Sequence, residues 1–243
     1  MPRAQVEEAT ARMLALFPEG FVEQAVGDDV ELSAFTDEAG AGRLRASFGA
    51  VASEPVAPGW EEEWKRFHVP AVVGSLWIGP PWEQPPPELT AVVIDPGRAF
   101  GTGAHATTRM CLELLSGLDP GGVLDAGCGS GVLAIAAAKL GFGPVFAIDT
   151  DPAAIDVTER NAEANGVELE AIHADVQSDS LPSADIVVAN LDLPTLAGIT
   201  RSFHCRQAIT SGYGVGDHPE LTGLRPTTRL TRGNWAADLF ASQ

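Results

Sequence analysis

Apolar positions recur along the chain with two periods, and the change of period predicts the elements. Residues 6–17 set Val6, Ala9, Met13, Leu16 and Phe17 on one face of a 3.6-residue spiral, which predicts a helix. VELSAF (30–35) alternates apolar and polar, the period of a half-buried strand. Asp37 then precedes a second helical pattern carrying Leu44 and Phe48, and VASEPV (51–56) reads as a further strand. Residues 1–57 therefore read as a small α+β domain. Residues 58–88 read as a connection. WEEEWKRF (60–67) places Trp60, Trp64 and Phe67 on one helical face and AVVGSLWIG (71–79) is a strand candidate. PPWEQPPPE (80–88) is a stiff surface path, because proline cannot join a helix interior or a central strand.

From residue 89 to 243 the pattern is more regular. AVVID (91–95), GGVLDAG (121–127), PVFAID (144–149), ADIVVAN (184–190) and QAITSGY (207–213) are short apolar runs ending in turn residues. Helical patterns separate most of them: TRMCLELL (108–115), GVLAIAAAKLG (131–141) and PAAIDVTERNAEANG (152–166). Strands alternating with helices predict an α/β fold, a mostly parallel sheet with helices on both faces. In TTRLTRGNWAADLF (227–240) two strand-like pieces flank Gly233-Asn234, which predicts an antiparallel C-terminal hairpin closing the sheet edge.

Composition narrows the setting. Hydrophobic residues are 45% and charged residues 20% of 243 residues, ordinary for a globular chain able to bury a core. No apolar run approaches the roughly 20 residues that span a bilayer, so no membrane association is expected, and the N-terminal stretch does not read as a signal peptide. The three cysteines, Cys111, Cys128 and Cys205, are odd in number and widely spaced; they fit a reducing, cytoplasmic setting and no metal site. The net charge of −18 repels a nucleic-acid backbone, so direct nucleic-acid binding is not expected. The same charge favours a basic protein partner, or serves solubility alone.

The candidate chemistry sits where a strand ends at Asp125 and Gly127, Gly129 and Gly131 follow at alternate positions before a helix. Glycines let backbone approach a ligand, and a helix start offers free N–H groups. The spacing is G-x-G-x-G, whereas a dinucleotide loop needs G-x-G-x-x-G, and no G-x-x-x-x-G-K-[ST] occurs. The acid two residues ahead suits the ammonium of an amino-acid moiety better than a pyrophosphate. Asp149 ends the next strand, where a carboxylate can hold ribose hydroxyls. Asp175 follows the next strand-like stretch, where an acid can meet an adenine amino group, and Asn190 ends DIVVAN. Single acids are common where strands enter turns. Four strand ends bearing Asp125, Asp149, Asp175 and Asn190 point instead to one crevice outside the carboxyl ends of the sheet, fit for S-adenosyl-L-methionine.

With these residues assembled, the chain resembles the bacterial ribosomal protein L11 methyltransferase family over almost its whole length. The most specific segment is IDPGRAFGTGAHATT (94–108), matching that family's DPGxAFGTGxHxTT signature. The match continues through DAGCGSGVLAIAAAKLG, AIDTDPAAI, NAEANGV and VVANL, and WEEEWKRF is similar to the family's linker helix. The resemblance implies a Rossmann-like class I methyltransferase domain behind a small domain that recognises the protein substrate. It implies cofactor contacts from Thr107, Thr108, Gly127 and Asp149, with Asn190 beside the transferred methyl. It also implies that Phe100, Gly101, Thr102 and Gly103 form a loop over the cofactor, and that amino groups of protein L11 are the acceptors. The family's first strand ahead of the first helix is missing or shortened here, and the stretch after Asn190 is shorter than usual. Both departures bear on the acceptor. A class I methyltransferase acting on another protein or a small amine, and a non-catalytic S-adenosylmethionine-binding protein, are the other readings. No dedicated base is expected: His105 reads as a structural residue or a base, Asp192 as a helix cap or an attractor of the amine, and Cys128 as packing.

Overall fold

The computed structural model describes residues 9, 12–13, 16–17, 22–26, 29–34, 36–49, 51–54, 69–95, 103–199, 203 and 205–242. The chain divides into two compact units, Met1–Glu61 and Glu62–Gln243.

In the first unit the described residues Ala9, Arg12, Met13 and Leu16 are helical, as the 3.6-residue period requires, with Ala9 and Met13 buried. Strands β1 (Val22–Val26) and β2 (Asp29–Ser33) form an antiparallel hairpin, Val26 opposite Asp29. Helix α1 (Glu38–Phe48) begins at Asp37, whose carboxylate accepts the Gly40 N–H at 2.8 Å, the usual work of an N-cap. Residues 51–54 are irregular rather than the strand expected of VASEPV. The stretch leads into Pro55, which has no ladder donor to offer. The candidate helix at 60–67, with Trp60 and Trp64, lies outside the described residues.

The second unit holds two sheets. AVVGSLWIG forms two strands rather than one: β3 (Ala71–Val73) turns at Gly74, φ +57°, and returns as β4 (Leu76–Gly79). β4 then runs parallel to β5 (Thr90–Val93). Part of the stretch expected as a connection is therefore sheet, and AVVID belongs to this small sheet rather than the large one. The edge of β5 is closed by a side chain, because Asn165 Oδ1 accepts the Val93 N–H (2.8 Å) and Asn165 Nδ2 donates to Val93 O (2.6 Å). One amide thus stands in for a neighbouring strand.

The large sheet is built from β6 (Val123–Ala126), β7 (Val145–Asp149), β8 (Glu170–His173), β9 (Ile186–Asn190), β10 (Gln207–Gly214), β11 (Leu224–Arg232) and β12 (Trp235–Ser242). Its order is β11-β12-β10-β9-β6-β7-β8. The five strands from β8 to β10 are parallel; β12 inserts antiparallel between β10 and β11. The expected hairpin is present, turning at Gly233-Asn234 with Arg232 opposite Trp235.

Helices α2 (Ala106–Ser116), α3 (Val132–Lys139) and α4 (Pro152–Asn165) contribute buried side chains to one apolar layer with Ile78, Val92 and Ile94. The other layer holds Leu124, Ile148, Val187 and Phe240, with Leu196 and Ile199 of α5 (Leu193–Ile199). α3 is apolar all round because it is buried on every side. α4 starts at Asp151, whose carboxylate accepts the Ala153 N–H at 2.9 Å, with Pro152 at its first position, and ends at left-handed Gly166. β6 is buried along its whole length between β7 and β9, so its carboxyl end lies at the middle of the sheet edge. No helix among the described residues is long and apolar enough to cross a membrane.

Candidate active site at the carboxyl ends of the central strands

A cavity of about 500 Å³ opens at that edge, within the size range of ligand pockets. Its lining includes Thr108, Gly127, Gly129, Asp149, Asp175 and Asn190, contributed by α2 and by the ends of β6, β7, β8 and β9. The parallel register brings together the five candidates that end or follow the strands, and the packed start of α2 adds Thr108.

The glycine loop is fixed from below. Gly127 and Cys128 donate N–H bonds to Ile148 O at 2.8 and 2.9 Å, and Gly131 donates to Cys128 O at 2.8 Å. Gly127 has φ +78°, and a Cβ there would strike Leu191 Cδ2. Glycine is thus required both by backbone conformation and by space. Asp149 takes one N–H on each carboxylate oxygen: Gly129 on Oδ2 at 2.9 Å and Asp151 on Oδ1 at 3.0 Å. A carboxylate has about four acceptor positions, so this carboxylate holds the loop and retains capacity toward the cavity. Asp175 is organised by its own turn, with Oδ1 accepting from Gln177 N at 2.8 Å. Asn190 Nδ2 donates to Thr108 Oγ1 at 3.4 Å, which links β9 to the first turn of α2.

Two candidates, Asp125 and Thr107, are not among the residues that line the cavity. Asp125 is only 1% exposed and does not line the cavity; its Oδ2 accepts the Ala134 N–H at 3.1 Å. It thereby satisfies one of the free donors of the first turn of α3, which has no side-chain cap of its own. Burial raises its carboxyl to about 7, opposed by the Ala134 hydrogen bond and assisted by the nearby Asp149 charge. Thr107 is likewise buried and away from the lining, its hydroxyl 2.8 Å from His105 Nδ1. Asp125 meets an N–H of the first turn of α3, and Thr107 meets the His105 ring at the start of its own helix. Phe100, Gly101 and Thr102 lie outside the described residues.

The remaining singled-out residues take structural positions. His105 is the N-cap of α2, Nδ1 facing the Thr107 N–H, and its ring meets Trp235 edge-on with centroids 5.1 Å apart. Asp192 Oδ1 accepts the Thr195 N–H at 2.8 Å at the start of α5, and this hydrogen bonding lowers its pKa. Burial and the Asp125 charge push the Cys128 thiol up to about 12, so it stays protonated and packs.

The profile of the family described as Ribosomal protein L11 methyltransferase (PrmA) matches residues 3–208. The chain belongs to that family. The ribosomal protein L11 methyltransferase of Vibrio campbellii is 49% identical over 152 residues, 59% of this chain and 51% of that protein. That of Klebsiella pneumoniae is 49% identical over 190 residues, 75% of this chain and 62% of that protein. The crystal structure of the ribosomal protein L11 methylase from Lactobacillus delbrueckii subsp. bulgaricus superposes with a TM-score of 0.65 at 29% identity, covering 72% of this chain and 99% of that one. The chain spans about half the length of the first curated relatives it matches.

Sequence reasoning missed several residues at this site. Leu191, Gln177 and Thr195 also line the cavity. Gly212, at φ +102°, lets β10 bulge past Leu191, whose carbonyl a Cβ there would strike. Away from the cavity lining, Thr158 and Asn161 of α4 are buried and bonded to the glycine loop, and Asn165 is buried and bonded to β5. Their signal was available, since polar residues at i, i+3 and i+7 share the face that carries Ile155 and Ala162.

Proposed function

We propose that this chain is an S-adenosylmethionine-dependent protein N-methyltransferase whose acceptor is an amino group of ribosomal protein L11. The observation that carries the reading is the convergence of Thr108, Gly127, Gly129, Asp149, Asp175 and Asn190 on one cavity in a chain of this family. The residues fit the cofactor chemically. Asp149 offers acceptors for ribose hydroxyls, Asp175 an acceptor for the adenine amino group, and the backbone at Gly127 and Gly129 a surface without Cβ atoms. Asp125 acts through the loop, by holding the start of α3, rather than by direct contact.

S-adenosylmethionine supplies a methyl group on a sulfonium centre whose departing thioether is neutral, so little acid catalysis is needed. The chain must align the amine and exclude water from it. A lysine amine has a reference pKa of about 10.4 and must arrive unprotonated; transfer into a desolvated site lowers that value. With Asn190 Nδ2 directed at Thr108, the Oδ1 of the same amide is the group to accept a hydrogen bond from the amine and orient its lone pair. His105 Nδ1 is engaged at the α2 cap, which favours its role in positioning over proton abstraction. The first unit is read as the part that meets the protein substrate.

Intact-mass analysis of protein L11 after incubation with the chain and S-adenosylmethionine should show increments of one or more methyl groups. Asp149→Ala should weaken cofactor binding by calorimetry, whereas Asn190→Ala should keep binding and lose turnover. No increment on L11 with intact cofactor binding would favour a different acceptor or a non-catalytic S-adenosylmethionine-binding protein. Unchanged affinity in Asp149→Ala would remove the site.

A further inference from the structure

The polar stripe on α4 has no part in the chemistry above. Thr158, Asn161 and Asn165 are 0%, 3% and 8% exposed. Buried polar groups in a helix interior destabilise a fold unless each is matched, and each of these is matched to backbone outside the helix. Thr158 Oγ1 donates to Gly129 O at 3.2 Å and lies 3.4 Å from Cys128 Sγ. Asn161 Nδ2 donates to Ser130 O at 2.9 Å, and its Oδ1 accepts the Asp95 N–H at 3.1 Å. Asn165 holds both backbone groups of Val93. The stripe runs from the glycine loop to the end of β5, and Asn161 is the member that spans both.

We infer that Asn161 is a positioning residue for the cofactor site, tying the register of the glycine loop to that of the backbone at Asp95. The inference rests on the reading of the cavity as the S-adenosylmethionine site. Its physical basis is the amide itself: one planar group carries a donor for Ser130 O and an acceptor for Asp95 N–H, which neither a carboxylate nor a hydrocarbon provides. The far end of the same signature segment also rests on the cavity wall. Gly103 has φ +80°, and a Cβ there would strike Ile78 Cγ2 of β4 and come within 3.6 Å of Val132 Cγ2. Val132 lines the cavity. Asp95 and Gly103 are thus both held by packed elements of the second unit, Asp95 by Asn161 of α4 and Gly103 against Ile78 of β4. Asn161 joins the loop to Asp95 through one side chain.

Amide hydrogen exchange on the full ligand-free chain tests the link. Asn161→Leu should speed exchange in residues 127–131 and at Asp95 together. Thr158→Val should do so in 127–131 alone, and Asn165→Leu at the end of β5 alone. In calorimetry, Asn161→Leu should weaken S-adenosylmethionine affinity about tenfold, the effect of one buried hydrogen bond. Asn165→Leu should leave that affinity unchanged. If Asn161→Leu does not fold, Asn161→Asp keeps the acceptor toward Asp95 and lacks the donor, so exchange should rise in 127–131 and not at Asp95. Uniform acceleration by all three variants, or no change at either segment in the Asn161 variants, overturns the inference. A parent chain without affinity for S-adenosylmethionine overturns the reading of the cavity instead, and the exchange pattern then decides the link by itself.

Discussion

Asp125 has its effect through its neighbours. Its strand-end position and the three glycines after it mark it as part of a nucleotide loop, and that much is legible in the residues. Its direction is not, because sequence cannot show that the first turn of α3 lacks a cap and presents the Ala134 N–H to the carboxylate. The consequence is a pH dependence of stability. With burial raising the folded-state carboxyl to about 7, above the unfolded value of about 3.9, the folded chain holds a proton between those values that the unfolded chain has lost. This contribution to stability is complete below about pH 4 and is lost as pH rises through 7. Asp125→Asn keeps an oxygen for Ala134 and cannot titrate. Melting temperature plotted against pH should therefore fall less steeply between 4 and 7 in the variant; equal slopes would remove Asp125 from the account.

At the scale of elements, periodicity located most strands and helices of the large sheet, because its central strands are buried on both faces and read as continuous apolar runs. It treated AVVGSLWIG as one strand, since the run is apolar on either side of Gly74 and only the positive φ there folds it back. It also passed over the bulge in β10. Between Ser211 and Tyr213 the register with β12 shifts, and Gly212 lies against the Leu191 backbone while Leu191 N–H donates to Ser211 O at 2.9 Å. Gly212→Ala would place a Cβ against that carbonyl in a backbone conformation that L side chains rarely adopt. We expect a loss of about 2–4 kcal/mol in denaturant unfolding, with reduced turnover because Asn190 directly precedes Leu191. A variant as stable and active as the parent would show that the bulge is dispensable.

At the scale of the second unit, the antiparallel end of the sheet is held by a polar network on the apolar layer that contains Phe240. Tyr213 Oη donates to Asp238 Oδ2 at 2.9 Å and Arg229 Nη1 donates to the same oxygen at 3.1 Å. Arg229 Nη2 donates to Val215 O and Asp217 O at 3.0 and 2.7 Å, tying the turn after β10 to β11. The Asp238 side chain is 4% exposed, so removing its partner leaves a buried charge. Arg229→Ala should cost about 3–5 kcal/mol, and Arg229→Ala with Asp238→Ala should cost less than the sum of the two single changes. Additive losses in that cycle would mean the pair is not coupled. Burial also raises the Tyr213 hydroxyl, which favours its protonated form as donor to Asp238.

The sequence by itself determined the alternation of strands and helices, the C-terminal hairpin, the glycine loop and the strand-end residues Asp149, Asp175 and Asn190. All of these are written in local spacing, where side-chain period, turn residues and chain direction are fixed within a few positions. The resemblance carried by residues 94–108 added the family. Only the tertiary structure decided that Asp125 and Thr107 turn inward while Thr108 lines the cavity, and that β3 and β4 join β5 in a sheet of their own. The same holds for the α4 stripe that clamps the loop and for Gly212 making room for Leu191. Each depends on which polar group or van der Waals surface the fold sets opposite the side chain, nine residues on for Asp125 and tens of residues away for the stripe and Gly212, and that is set by packing rather than by period.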